Sequence, residues 1–227
     1  MATTRLLIVR HAERLDESRD HQAIQAFMVR HRHTDRLYDC PITASGRQQA
    51  RSAASHVASA VHTHAHMPLP KDEADRVIIY CSLLQRCVQT ADELAQGLPF
   101  ATVLQPVAGL ASCAAAVNDV GCANFNFLTD PELSALCATP VLPALRNADA
   151  FEEALDVLHA RHPDHLIITV SHREGIRELK LLNHHLSHAA KRRTPRYCAV
   201  AQFSHSPDAT CHWTFIQQEE LDGTVIR

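Results

Sequence analysis

Three short apolar runs constrain this chain more than anything else in it: RLLIV at 5–9, RVIIYC at 76–81 and HLIITV at 165–170. Each is bounded by charge or turn residues and lacks polar alternation, so each reads as a strand buried on both faces. Strands of that kind need helices above and below the sheet. Helices are expected at 47–64, at 83–94, at 149–160 and at 174–188; the first is alanine-rich and stopped by Pro68 and Pro70. A short strand is expected at 101–104 and a closing pair at 197–204 and 211–217. Strand and helix alternate, which predicts an α/β fold: a three-layer α/β/α arrangement with a mostly parallel central sheet and helices on both faces. The 227 residues read as one domain, 1–227, with irregular insertions at about 15–40 and 107–147.

Charge and cysteine usage narrow the class. The net charge of -3 argues against a surface built for nucleic acid. No apolar run approaches the ~18 residues of a membrane span, and the N-terminus shows no signal-type stretch. Eight cysteines occur without one Cys-x-x-Cys pair, so reduced thiols in a cytoplasmic protein are expected. His62 and His66 would share a helical face, but no second pair of ligands lies nearby, and a solvated helix end is the better reading. His184, His185 and His188 are read the same way, and Lys191, Arg192, Arg193 and Arg196 as a solvated basic loop. No metal site is expected.

The chemistry is concentrated where the apolar runs end. Arg10-His11 follow the first, Ser82 with Arg86 just beyond follow the second, and Ser171-His172 follow the third. Ligands of open α/β sheets bind outside the carboxyl ends of the strands. Neighbouring strands would therefore bring Arg10, His11, Arg14, Arg86 and His172 to one mouth. Guanidinium forks match phosphate oxygens and stay charged at any working pH. They would also keep a nearby imidazole neutral, the form able to attack phosphorus, and stabilise the charge that develops during transfer. Taken singly, each of these residues is more often a solvated charge than a catalyst; their joint occurrence is what carries the reading.

Four segments carry a family resemblance. VRHAER resembles the Arg-His-Gly signature of the histidine phosphatase superfamily, also called phosphoglycerate-mutase-like. PITASGRQQA (41–50) is similar to its Leu-Thr-x-x-Gly-x-x-Gln-Ala segment, SLLQRCVQTA (82–91) to its Ser-x-x-x-Arg-x-x-Gln-Thr-Ala segment, and ITVSHREGI (168–176) to its second histidine motif. The segments occur in the family's order. The resemblance implies a phosphoglycerate-mutase-like fold and a metal-independent, cofactor-free phosphomonoesterase in which His11 becomes phosphorylated. Arg10, Arg86 and His172 would complete the phosphate pocket. Arg14 resembles an extra arginine of the branch with the suppressor-of-T-cell-receptor-signalling and ecdysteroid-phosphate phosphatases, whereas the Ser and Asn of the mutase branch are missing, so a phosphomutase is disfavoured.

Two positions depart from the pattern. Ala12 replaces the usual glycine. The family's general acid, a glutamate two residues after a leucine matched by Leu110, is replaced by Ser112. Serine is no acid near neutrality. Asp119 from the second insertion and Glu174, two residues after His172, are the two acid candidates. The alternative is a weak or silent phosphate-binding scaffold on the same fold. The expected partner is a phosphorylated small molecule or a phosphoprotein, with no nucleic acid and no membrane; a homodimer is left open.

Overall fold

The computed structural model describes residues 4–71, 76–205 and 212–227. Seven strands form one mixed sheet: β1 (Arg5–Arg10), β2 (Val77–Ser82), β3 (Thr102–Val107), β4 (Leu166–Ser171), β5 (Val200–His205), β6 (Trp213–Glu219) and β7 (Val225–Ile226). Their order is β3-β2-β4-β1-β5-β6-β7. The first four run parallel, in register Cys81↔Val170 and Arg10↔Ser171, and β5 joins β1 antiparallel. The three apolar runs are thus adjacent strands at the sheet centre, where both faces are covered.

Alternation along β1 shows how the layers are built. Leu7 and Val9 face one apolar cluster with Val57, Val88 and Leu94, from α2 (Ala44–Thr63) and α3 (Gln85–Gly97). Leu6 and Ile8 face a second cluster with Leu155, Leu158, Ile176 and Leu179, from α6 (Phe151–Arg161) and α7 (Arg173–Leu182). Fully burying a Leu or Ile stabilises by roughly 1.5–3 kcal/mol before the entropy of ordering is subtracted. The α/β class with helices on both faces of a mostly parallel sheet is therefore borne out.

Differences from the expected boundaries have local causes. Helix α2 starts at Ala44 rather than at 47, because Thr43 caps it by accepting the Gly46 N–H at 2.8 Å. Gly46 is needed there: a Cβ would lie 2.7 Å from the Glu13 carbonyl oxygen. The helix expected at 174–188 ends at Leu182. Asn183 diverts it, its amide donating to the Trp213 carbonyl at 3.0 Å while its oxygen accepts the Phe215 N–H at 2.7 Å. A separate α8 (His188–Arg192) follows. The early end of α7 leaves His184 and His185 outside any helix, and the end of α2 at Thr63 removes the shared face expected for His62 and His66. The insertions are only partly irregular, since they contain α1 (His21–His31), α4 (Ala115–Val120) and α5 (Asp130–Ala135). Cys211, the first residue of the strand expected at 211–217, lies outside the described residues.

Candidate active site

Because β2, β4 and β1 are neighbours in that order, their carboxyl ends place Ser82, His172 and His11 side by side. The rings of His11 and His172 meet edge to face with centroids 5.3 Å apart, close enough for one tetrahedral anion to touch both. A cavity of about 310 Å³ opens over them, lined also by Arg10, Arg14 and Arg86. The five residues expected at one mouth do line one cavity.

The loop after β1 is held from three sides. Ala12 donates its N–H to Thr90 Oγ1 at 3.0 Å, Glu13 to Gln49 Oε1 at 3.1 Å, and Ile42 to Gln89 Oε1 at 3.0 Å. The Gln and Thr of the second and third family-like segments therefore fasten backbone rather than meet ligand. Ala12 is fully buried and is not among the described residues with positive φ, so the missing glycine leaves no backbone strain here.

His11 is 3% exposed, and its Nδ1 lies 2.8 Å from the Ala12 carbonyl oxygen. A carbonyl only accepts, so Nδ1 carries the proton and Nε2 of the neutral ring keeps its lone pair. Burial, then Arg86, Arg10 and Arg14, hold the His11 pKa well below the ordinary imidazole value. Burial and Arg86 do the same to His172. The Arg86 guanidinium approaches His172 Nδ1 at 3.4 Å, and His172 Nε2 is 2.9 Å from Ser82 Oγ. A guanidinium only donates, so His172 is the Nε2–H tautomer and Ser82 accepts from it.

The arginines are aimed by their own contacts. Arg10 donates to the Pro195 carbonyl at 2.7 Å and lies over the Tyr197 ring, 4.1 Å from its centroid. Arg86 donates to the Tyr38 carbonyl at 3.1 Å and stands 4.0 Å from Asp39. Both Nε groups are buried and without a partner among the described residues. Arg14 forks onto Asp16 and also meets Glu17 at 3.5 Å, so acidic groups hold it at the cavity wall.

The acid candidates both line the cavity. Asp119 is exposed, one turn after Ala115 on the same face of α4. Glu174, in the first turn of α7, pairs with Arg173 at 2.6 Å. Ser112 instead donates to the Gly109 carbonyl at 2.8 Å and lines a neighbouring cavity. Glu17, Tyr38 and Arg173 also line the active cavity. Sequence reasoning passed over them, together with Asp39 and Tyr197. Only Arg173, beside His172, carried a positional signal.

Fold and cavity together define an α/β protein with an arginine- and histidine-lined cavity at the carboxyl ends of its central strands. Residues 6–111 match the family model of the histidine phosphatase superfamily (branch 1), and the family resemblance of the sequence is borne out. The ecdysone phosphate phosphatase EPPase of Bombix mori, in complex with tungstate, has a similar fold: TM-score 0.54 at 15% identity, over 94% of this chain and 92% of that one. The protein histidine phosphatase SixA, complexed with tungstate, gives 0.52 at 14% identity, over 96% and 97%. No curated protein sequence matches the chain.

Proposed function

We propose that the protein is a metal-independent phosphomonoesterase that works through phospho-His11. The observation that carries the reading is the His11 Nδ1–Ala12 carbonyl bond, which reserves the Nε2 lone pair of a neutral ring beside three arginines. Nε2 attacks phosphorus as the bond to the leaving oxygen breaks. Arg10, Arg14 and Arg86 take the charge on the phosphoryl oxygens, the role a magnesium ion fills in kinases. A dianionic phosphoryl group would draw a proton back onto His172, turning Nδ1 into a further donor.

Asp119 is assigned as the acid, because it lines the cavity and has no ion-pair partner among the described residues, whereas Glu174 is held by Arg173. Protonated Asp119 gives its proton to the leaving oxygen. As carboxylate it then takes a proton from the water that splits phospho-His11, and phosphate departs with the ring restored. The substrate is a phosphorylated small molecule or a phosphoprotein.

Ser112 favours a second reading, a silent phosphate-binding scaffold, since the position where the family pattern has its acid is occupied by a hydroxyl turned to the Gly109 carbonyl. Incubation with para-nitrophenyl phosphate, comparing the native protein with His11→Ala, decides between them. Hydrolysis lost in His11→Ala supports the esterase. Hydrolysis surviving the substitution refutes it, and none in either protein leaves the scaffold.

A further inference from the structure

The cavity is electrically divided. At its floor His11, His172, Arg10 and Arg86 are 1–6% exposed. At its mouth Glu17 and Glu174 also line it, with side chains 41% and 36% exposed, and Asp119 is exposed beside them. The lining cations at that level are Arg173, which Glu174 neutralises, and Arg14, which meets Glu17 at 3.5 Å and is drawn toward the phosphoryl group when one binds. With both imidazoles neutral, four arginines against three carboxylates leave the lining at +1. A phosphoryl dianion therefore uses up all the positive charge available. The buried Arg10 and Arg86 beside the neutral His11 locate the anion at the floor, so the leaving group must project past Glu17 and Glu174.

We propose that this mouth selects phosphomonoesters whose leaving alcohol carries an ammonium group and rejects those with a second phosphate or a carboxylate. The inference rests on the phosphomonoesterase reading and gives it a substrate class. An ammonium a few ångströms from phosphorus would sit among Glu17, Glu174 and Tyr38, which is 56% exposed. A carboxylate or phosphate in the same place would meet two like charges after the arginines are already saturated. A cavity of about 310 Å³ holds a short amino-alcohol phosphate.

The test compares three two-carbon esters, O-phosphoethanolamine, ethyl phosphate and 2-phosphoglycolate, as kcat/KM relative to para-nitrophenyl phosphate. The cationic ester should exceed the anionic one by roughly 30-fold at low salt, falling several-fold at 0.5 M salt as the exposed charges are screened, where 0.5 M is about the ionic strength that shortens screening to a few ångströms. Glu17→Gln, an isostere without charge, should cut that ratio by about 5-fold. Differences in leaving-group acidity cancel in the native-to-variant comparison. Equal or better use of 2-phosphoglycolate, or a ratio unmoved by both salt and Glu17→Gln, overturns the proposal. Absence of para-nitrophenyl phosphate hydrolysis would instead strike the esterase reading. In that case calorimetric binding of the three esters to the native protein gives the ranking without turnover, and a flat or reversed order overturns the inference.

Discussion

Asp39 offers a sharp test of how the site is held together. It is 3% exposed, accepts the Gln85 N–H at 2.5 Å and lies 4.0 Å from Arg86. Burial pushes its carboxyl up from 3.8 to about 6, against the pull of Arg86. The direction fixes the sign. Between those values the folded chain binds the extra proton, so stability falls as pH rises from 3.8 to about 6, and the loss is complete above it. The gap corresponds to roughly 3 kcal/mol. Asp39→Asn keeps an oxygen for Gln85 but turns an amide toward Arg86, which offsets part of the gain. The variant should match the native protein near pH 4 and be about 1–2 kcal/mol more stable at pH 8, by urea unfolding. Activity should move the other way. Arg86 loses its only ion-pair partner among the described residues, and kcat/KM should fall about 3–10-fold through looser aim. A variant destabilised by more than ~1 kcal/mol at pH 8 would mean that the Asp39–Arg86 attraction outweighs desolvation, and would refute the reasoning.

Other consequences are as direct. Ser82→Ala removes the acceptor of the His172 Nε2–H, which holds the ring in place, and kcat should fall about 10-fold while KM changes little; an unchanged kcat contradicts that positioning role. His11 and His172 are held neutral, so the unfolded chain takes protons that the folded one does not, and stability present at neutral pH is lost as pH drops below about 6.5. His11→Asn should flatten that acid loss in urea titrations at successive pH values, and an identical slope would count against a depressed pKa. Gly175→Ala would bring a Cβ to 2.5–2.8 Å from three carbons of the Phe151 ring, and should lower stability by about 1–3 kcal/mol, measured by urea unfolding.

What the sequence could reveal followed the range of its interactions. The central strands were legible because burial on both faces forces unbroken apolar runs, and their carboxyl ends carried the pocket residues with them. Helix boundaries were less so: the end of α7 depends on Asn183 reaching backbone of β6, 30 and 32 positions away, which no local periodicity records. The same limit applies in the site. Arg10, His11 and His172 sit on strand ends, while Glu17, Tyr38 and Tyr197 reach the site from turns whose paths are set by tertiary contacts. Ser112 shows the converse. A position matched by counting from Leu110 faces a different cavity, and Asp119 arrives through a helix that the composition of 107–147 did not suggest.

The central claim is a covalent bond at one nitrogen. Rapid quenching of the protein with para-nitrophenyl phosphate, followed by mass spectrometry of its peptides, examines that bond directly. The account predicts a transient phosphoryl adduct on His11 that forms as fast as nitrophenol is released and vanishes when substrate is exhausted. Turnover with His11 never modified, or an adduct on a different residue, would contradict it.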